Sequence, residues 1–248
     1  MINQKTQIMA RVNKNGNLSG AVGNIVFVNR YGETHARRKP GKVNQTSNTK
    51  KSASGFGNNS SQDRLVRAAI TEKIDIRNYQ CFAVNHRTRL GLTIFQSQDE
   101  DGNTQMRYEN PQSMVGTIFN NNWQWERAVN FYPDYNLPED NSMMVTIPEL
   151  NLGKQIKLPK NATRAILKLH ALTIDPNKRV VMADILSSLT FDLDKNQNVP
   201  SQEWQFQIPE NTYWALIIAT ISYSSPKNNI AEEHMHTGTY LWAKKIAE

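Results

Sequence analysis

Short β-type runs recur at intervals of roughly ten residues through positions 110–248, and that rhythm limits the available folds more than any other feature. The runs are Met114–Phe119, Met143–Ile147, Gln155–Leu158, Ala165–Ile174, Arg179–Met182, Leu186–Leu193, Trp204–Ile208, Trp214–Tyr223 and Thr239–Lys244. Pro, Asn, Asp and Gly separate them. Pro148, Pro159, Pro200 and Pro209 stand near run ends, where a missing N–H is tolerated. This spacing predicts an antiparallel β-sandwich, Ig-like or jelly-roll-like, and not alternating βαβ units. The densest apolar stretch, Tyr213–Ile221, is strand-sized. It falls far short of the roughly 18 apolar residues of a membrane helix.

The front of the chain has another character. Ile25-Val-Phe27-Val is β-branched and aromatic, Asn15-Gly16 signals a turn, and Thr34–Arg38 can return as a second strand. Residues 1–43 therefore read as a basic β-hairpin arm. Residues 44–59, rich in Ser, Thr, Asn and Lys, read as a polar linker. Ser60, Ser61 and Asp63 look like a helix start, and Val66, Ile70 and Ile74 follow at helical spacing. A second stripe, Tyr79, Phe82, Ala83, His86, Leu90 and Ile94, completes a helical hairpin over 60–97. The fold class expected is α+β: basic hairpin, helical hairpin, then the sandwich over 110–248.

Charge is unevenly placed. The 248-residue chain carries +7, yet residues 1–70 hold twelve Lys and Arg against Glu33 and Asp63, or +10, which leaves −3 for the rest. Such asymmetry points to an anionic partner: nucleic acid, a membrane surface, or the acidic face of another subunit. Cys81 is the single cysteine, so an intrachain disulfide is excluded and a reducing compartment is indicated. The first residues show no apolar leader stretch, which predicts a cytoplasmic protein.

Residues 16–70 resemble a family of Bacteroidetes proteins catalogued as a domain of unknown function. The resemblance lies in Gly20-Ala-Val-Gly23-Asn24-Ile-Val26-Phe27, then Gly32, Arg37, Arg38 and Pro40, then Thr46, Thr49, Ala53 and Phe56-Gly57 before Ser60 or Ser61. It implies an N-terminal hairpin followed by an Ig-like C-terminal sandwich. It implies no catalytic residue and no cofactor.

Candidate sites follow from residue type and spacing. Ile25 and Phe27 with Arg37, Arg38, Lys39 and Lys42 form an interaction surface on the arm, because a thin ribbon must pack on something to be stable. Trp123, Trp125 and Tyr132 could stack on a sugar or base, although Trp123 and Trp125 also suit core packing. His234 and His236, beside Glu232 and Glu233, would share a strand face and are the best metal-like cluster, without a third ligand identifiable from spacing. Asp192, Asp194, Asn196 and Asn198 alternate as in a calcium loop, but the turn glycine is absent. Cys81 reads as a small hydrophobe. No nucleophile elbow, P-loop or dinucleotide fingerprint occurs. The reading reached is a non-enzymatic structural or assembly protein that self-associates through its arm as a homo-oligomer or as subunits of a phage-like or filamentous particle. Nucleic-acid binding by the arm is the alternative, and a carbohydrate- or ligand-binding sandwich the second alternative.

Overall fold

In the computed structural model the chain is a mixed α+β protein with antiparallel sheets. The structure describes residues 10–14, 16–30, 33–41, 44–76, 81–98, 104–159, 162–194, 198–224 and 236–247. Two compact units divide it, Met1–Ala53 and Ser54–Glu248.

The first unit holds a four-stranded antiparallel sheet in sequence order: β1 (Arg11–Val12), β2 (Leu18–Val22), β3 (Ile25–Arg30) and β4 (Glu33–Arg38). Val22 pairs with Ile25 across a two-residue turn, and Gly23 takes φ +56° there. A tight hairpin turn of this kind requires that left-handed conformation, and glycine adopts it without steric cost.

The helix α1 (Ser47–Lys73) starts well before Ser60. The tract expected as a polar linker over 44–59 is helical from Ser47. The reason lies in Thr46, whose Oγ1 accepts a hydrogen bond from the Thr49 backbone N–H at 3.2 Å. That is the capping contact which satisfies an orphan donor of a first helical turn. Gly55 and Gly57 are carried inside the helix despite a cost of about 1 kcal/mol each. Asp63, read as a first-turn acid, therefore lies far from the helix start.

The second unit continues with α2 (Phe82–Leu92), which ends where Thr93 Oγ1 donates to the Leu90 carbonyl. Ile94 does not extend that helix. It opens β5 (Ile94–Gln98), paired with β6 (Thr104–Tyr108), so the predicted helical hairpin stops short of residue 97. Residues Met114–Phe119 are not a strand. Pro111–Met114 forms a 3₁₀ turn, and Gly116 at φ +75° reverses the chain. Arg179–Met182 is likewise outside the strands. The short helix α3 (Trp125–Ala128) follows, then β7 (Asp134–Asn136), β8 (Ser142–Ile147) and β9 (Leu150–Asn151). The long strands are β10 (Arg164–Ile174) and β11 (Ala183–Asp194). After β12 (Asn198–Val199) and β13 (Gln202–Gln207) come β14 (Trp214–Ser224) and β15 (Thr237–Lys245).

The central sheet has the order β11-β10-β14-β15, and a smaller sheet the order β13-β8-β7. Alternation sorts the central side chains onto two faces. Leu167, Leu169, Ile217 and Ile221 share one hydrophobic cluster with Val145, Ile147 and Trp204 of the smaller sheet. Leu172, Ile174, Leu216, Ile218 and Tyr240 share another with Val66 and Ile70 of α1 and Phe82 and Leu90 of α2. The unbroken apolar run of β14 follows from this double burial.

Among the described glycines, Gly238 of β15 has the least room for a side chain. A Cβ there would lie 2.6 Å from the Ala219 carbonyl oxygen and 2.8 Å from the Phe119 ring. Backbone of a central strand cannot yield, so Gly238→Ala is expected to destabilise the fold by about 1–3 kcal/mol, as overpacking does. Urea unfolding of the variant checks this; an unchanged midpoint would show that β15 shifts freely.

Candidate functional site

The strongest polar constellation of the second unit is enclosed between its helices and the central sheet. The Asp63 and His86 side chains have no solvent exposure, and Tyr240 only 1%. His86 Nδ1 lies 2.6 Å from Asp63 Oδ1, and His86 Nε2 lies 2.8 Å from the Tyr240 hydroxyl. Chemistry fixes the protons: Nδ1–H donates to the carboxylate, and the Tyr240 O–H donates to Nε2. Arg67 Nε donates to Asp63 Oδ2 at 2.9 Å, one helical turn on, and Arg87 Nε stands at 3.8 Å. Asn59 Nδ2 donates to the Arg87 carbonyl, and the Tyr108 hydroxyl donates to Asn59 Oδ1. The network thus ties α1, α2, β6 and β15 together.

Burial sets its titration. Desolvation lowers the His86 pKa against the opposing pull of Asp63, so the imidazole is neutral. Desolvation raises the Tyr240 phenol, with the Asp63 charge adding to it. Phe82, Phe119 and Tyr240 close the surroundings with ring centroids 4.8 and 5.6 Å apart. An Asp–His–Tyr chain has the parts of a proton relay, but nothing from solvent reaches it. In this arrangement it positions elements.

The arm residues lie on the N-terminal sheet. Ile25 stands opposite Arg38, Val26 opposite Arg37, and Phe27 between Gly20 and Ala36. Ile25 with Val22 and Arg38 therefore share one face with Phe27, while Arg37 points to the other. Ile25 is 48% exposed, Phe27 is half-buried, and Arg37, Arg38 and Lys39 are exposed. Lys42 lies outside the described residues.

The three aromatics proposed for stacking do not form one platform. Trp125 is buried edge-on to Phe131 in the core, because it opens α3 instead of continuing a strand. Trp123 donates Nε1–H to the Tyr223 hydroxyl at 3.4 Å, and Tyr132 is 81% exposed. Cys81 is half-buried, its thiol directed at the Phe119 carbonyl at 3.9 Å. His234 and residues 195–197 of the calcium-like loop lie outside the described residues. Among the described residues no three His, Cys, Asp or Glu side chains gather as a metal site, and no helix is long and apolar enough to cross a membrane.

Sequence reasoning placed His86 on an apolar stripe and Asp63 at a helix start, so it missed their pairing. The signal available was an acid and a histidine on two adjacent amphipathic helices, each falling on the apolar face.

Comparison of the chain with protein families, curated proteins and solved structures finds no match.

The network supports a pH prediction. The folded chain holds His86 below the 6.5 of a free imidazole, so between those two values the unfolded chain binds the extra proton. Stability is complete above about 6.5 and declines as pH falls toward the folded value. His170 is shifted the same way and adds to the decline. Urea midpoints measured from neutral to mildly acidic pH are therefore expected to fall in the native chain and to fall less in His86→Gln. Separately, Asp63→Ala leaves Arg67 facing a buried imidazole and is expected to cost about 3–5 kcal/mol, the usual result of breaking a buried pair. A loss below about 1 kcal/mol in urea unfolding would mean that water reaches the site.

Proposed function

We propose that this chain is a non-enzymatic assembly protein that binds a second copy of itself through its N-terminal sheet. One observation carries the reading. Among the described residues of Met1–Ala53 not one is buried, although four strands are hydrogen-bonded there. Val12, Val22 and Ile25 are exposed by 65, 54 and 48%. A sheet without a buried face lacks the apolar burial that holds sheets together, and needs a cover. Its outer strand β4 also offers an unpaired edge to another chain.

Charge supports a second copy as that cover. Residues 1–53 hold ten Lys and Arg against one acid, and the other 195 residues hold nineteen against twenty-one. A balance of +9 in one part and −2 in the other suits head-to-tail contact between copies. Burying Ile25 and Phe27 would contribute roughly 1.5–3 kcal/mol each, and the arginines would set orientation and rate. On this reading the central sheet and the β13-β8-β7 sheet of the second unit are the halves of a sandwich, Ig-like or jelly-roll-like, that forms the body of the subunit. A cytoplasmic particle, phage-like or filamentous, is the assembly proposed, and the family resemblance of residues 16–70 agrees with such a division. The sealing of the Asp63–His86–Tyr240 chain supports a structural role over a catalytic one.

Sedimentation velocity of the full chain over a concentration series is the test. The native chain is expected to associate, and Ile25→Ser with Phe27→Ser to weaken association at least tenfold. Arg37→Glu with Arg38→Glu is expected to slow it and to remove its salt dependence. A chain that stays monomeric into the high micromolar range overturns the proposal. If that monomer binds arbitrary DNA with a steep salt slope that the arginine variant abolishes, the arm is a phosphate-binding surface instead.

A further inference from the structure

One face of the central sheet changes character along its strands. Leu172, Ile174, Leu216 and Ile218 lie under the helices, but the same face continues into Ile166, Lys168 and His170 on β10 and Thr220 and Ser222 on β14. These five are half-buried, whereas the helix-covered part is closed. They form the floor of a cleft of about 240 Å³. Lys73 and Asp75 line it from the end of α1 and the residues after it, Phe119 and Ile76 give apolar walls, and His236 stands before β15.

We infer that this cleft binds a small phosphate-bearing molecule, with Lys168 and His170 as its principal anion contacts. The argument is chemical. Lys168 is half-buried, and it takes part in none of the ion pairs among the described residues. The neighbouring cations are already engaged: Arg164 donates to Asp192 at 3.0 Å, and Lys73 to Glu72 at 3.3 Å. His170 Nδ1 meets Ser188 Oγ at 2.8 Å, which leaves Nε2 to face a ligand. Burial and the Lys168 charge hold the His170 pKa below its usual value. A bound anion offsets the repulsion from Lys168 and favours the charged imidazole. Thr220 and Ser222 add hydroxyl donors on the next strand, and among the described residues Asp75 is the one acid in the lining. Sites for drug-sized ligands run to roughly 300–1,000 Å³, so this one suits inorganic phosphate or a small monoester.

Isothermal titration of the full chain with inorganic phosphate near neutral pH tests the inference, with acetate as the comparison anion. Expected is one phosphate per chain, acetate weaker, and a loss of about tenfold in Lys168→Gln, equivalent to 1.4 kcal/mol. Lys178→Gln, on the exposed loop after β10, is expected to bind as the native chain does. Acetate binding tighter than phosphate assigns the cleft to carboxylates and overturns the phosphate class. Several phosphates per chain, lost on Arg37→Glu with Arg38→Glu but kept in Lys168→Gln, would be counterions of the N-terminal sheet, an adventitious ion only. Absence of saturable heat into the millimolar range also overturns it. These outcomes do not depend on the oligomeric state, so this site and the self-association reading fail separately.

Discussion

Strand β14 hydrogen-bonds to β10 on one side and β15 on the other, so its side chains can find cover only above and below the sheet. Its first six residues, Trp214 to Ala219, are all buried. Two hydrophobic clusters follow from that requirement, and each enlists different elements. The smaller sheet covers Ile217 and Ile221, while α1 and α2 cover Leu216 and Ile218. Where the helices end, the same strand face turns to Thr220 and Ser222, and the cleft begins. The position of the candidate ligand site is thus set by the length of the helical cover.

The strands were legible because alternation and turn residues speak locally. Ala165–Ile174, Leu186–Leu193, Trp204–Ile208 and Trp214–Tyr223 fall within or across β10, β11, β13 and β14. The helix start was misplaced because Thr46 and Thr49 look like ordinary polar residues until the cap forms between them. Met114–Phe119 misled for the opposite reason: its apolar residues serve the core from a turn, with Met114 and Phe119 almost wholly buried. Composition cannot tell a strand from a turn when both deliver side chains to one cluster. The double cover of the central sheet was invisible for a related reason. A periodic pattern shows that a face is apolar but not which element will lie on it.

Site residues divide in the same way. Exposure of the arm cluster could be foreseen from charge, since Arg37, Arg38 and Lys39 have no apolar environment to enter. The placements of Trp125 and Tyr132, one inward and one outward, depend on the turn of α3 and could not be read from spacing. The Lys168–His170 floor went unnoticed because its residues alternate with Leu167 and Leu169 in an ordinary half-polar strand. Only pairing with Thr220 and Ser222 makes it a surface.

The Asp63–His86–Tyr240 chain has a consequence for how this sequence can change. Apolar contacts between helix and sheet are tolerant of sliding and of substitution, since many side chains of similar volume fit. A buried donor and acceptor set is not, because each half-satisfied version costs more than either the whole set or an oily replacement. The three residues act as a lock with a single seating, fixing two helices and the edge strand in register. In diverged copies of this chain they are expected to be inherited together or exchanged together for apolar residues, with Arg67 following Asp63. Covariation of these four positions, 63, 67, 86 and 240, is the evolutionary signature of that lock.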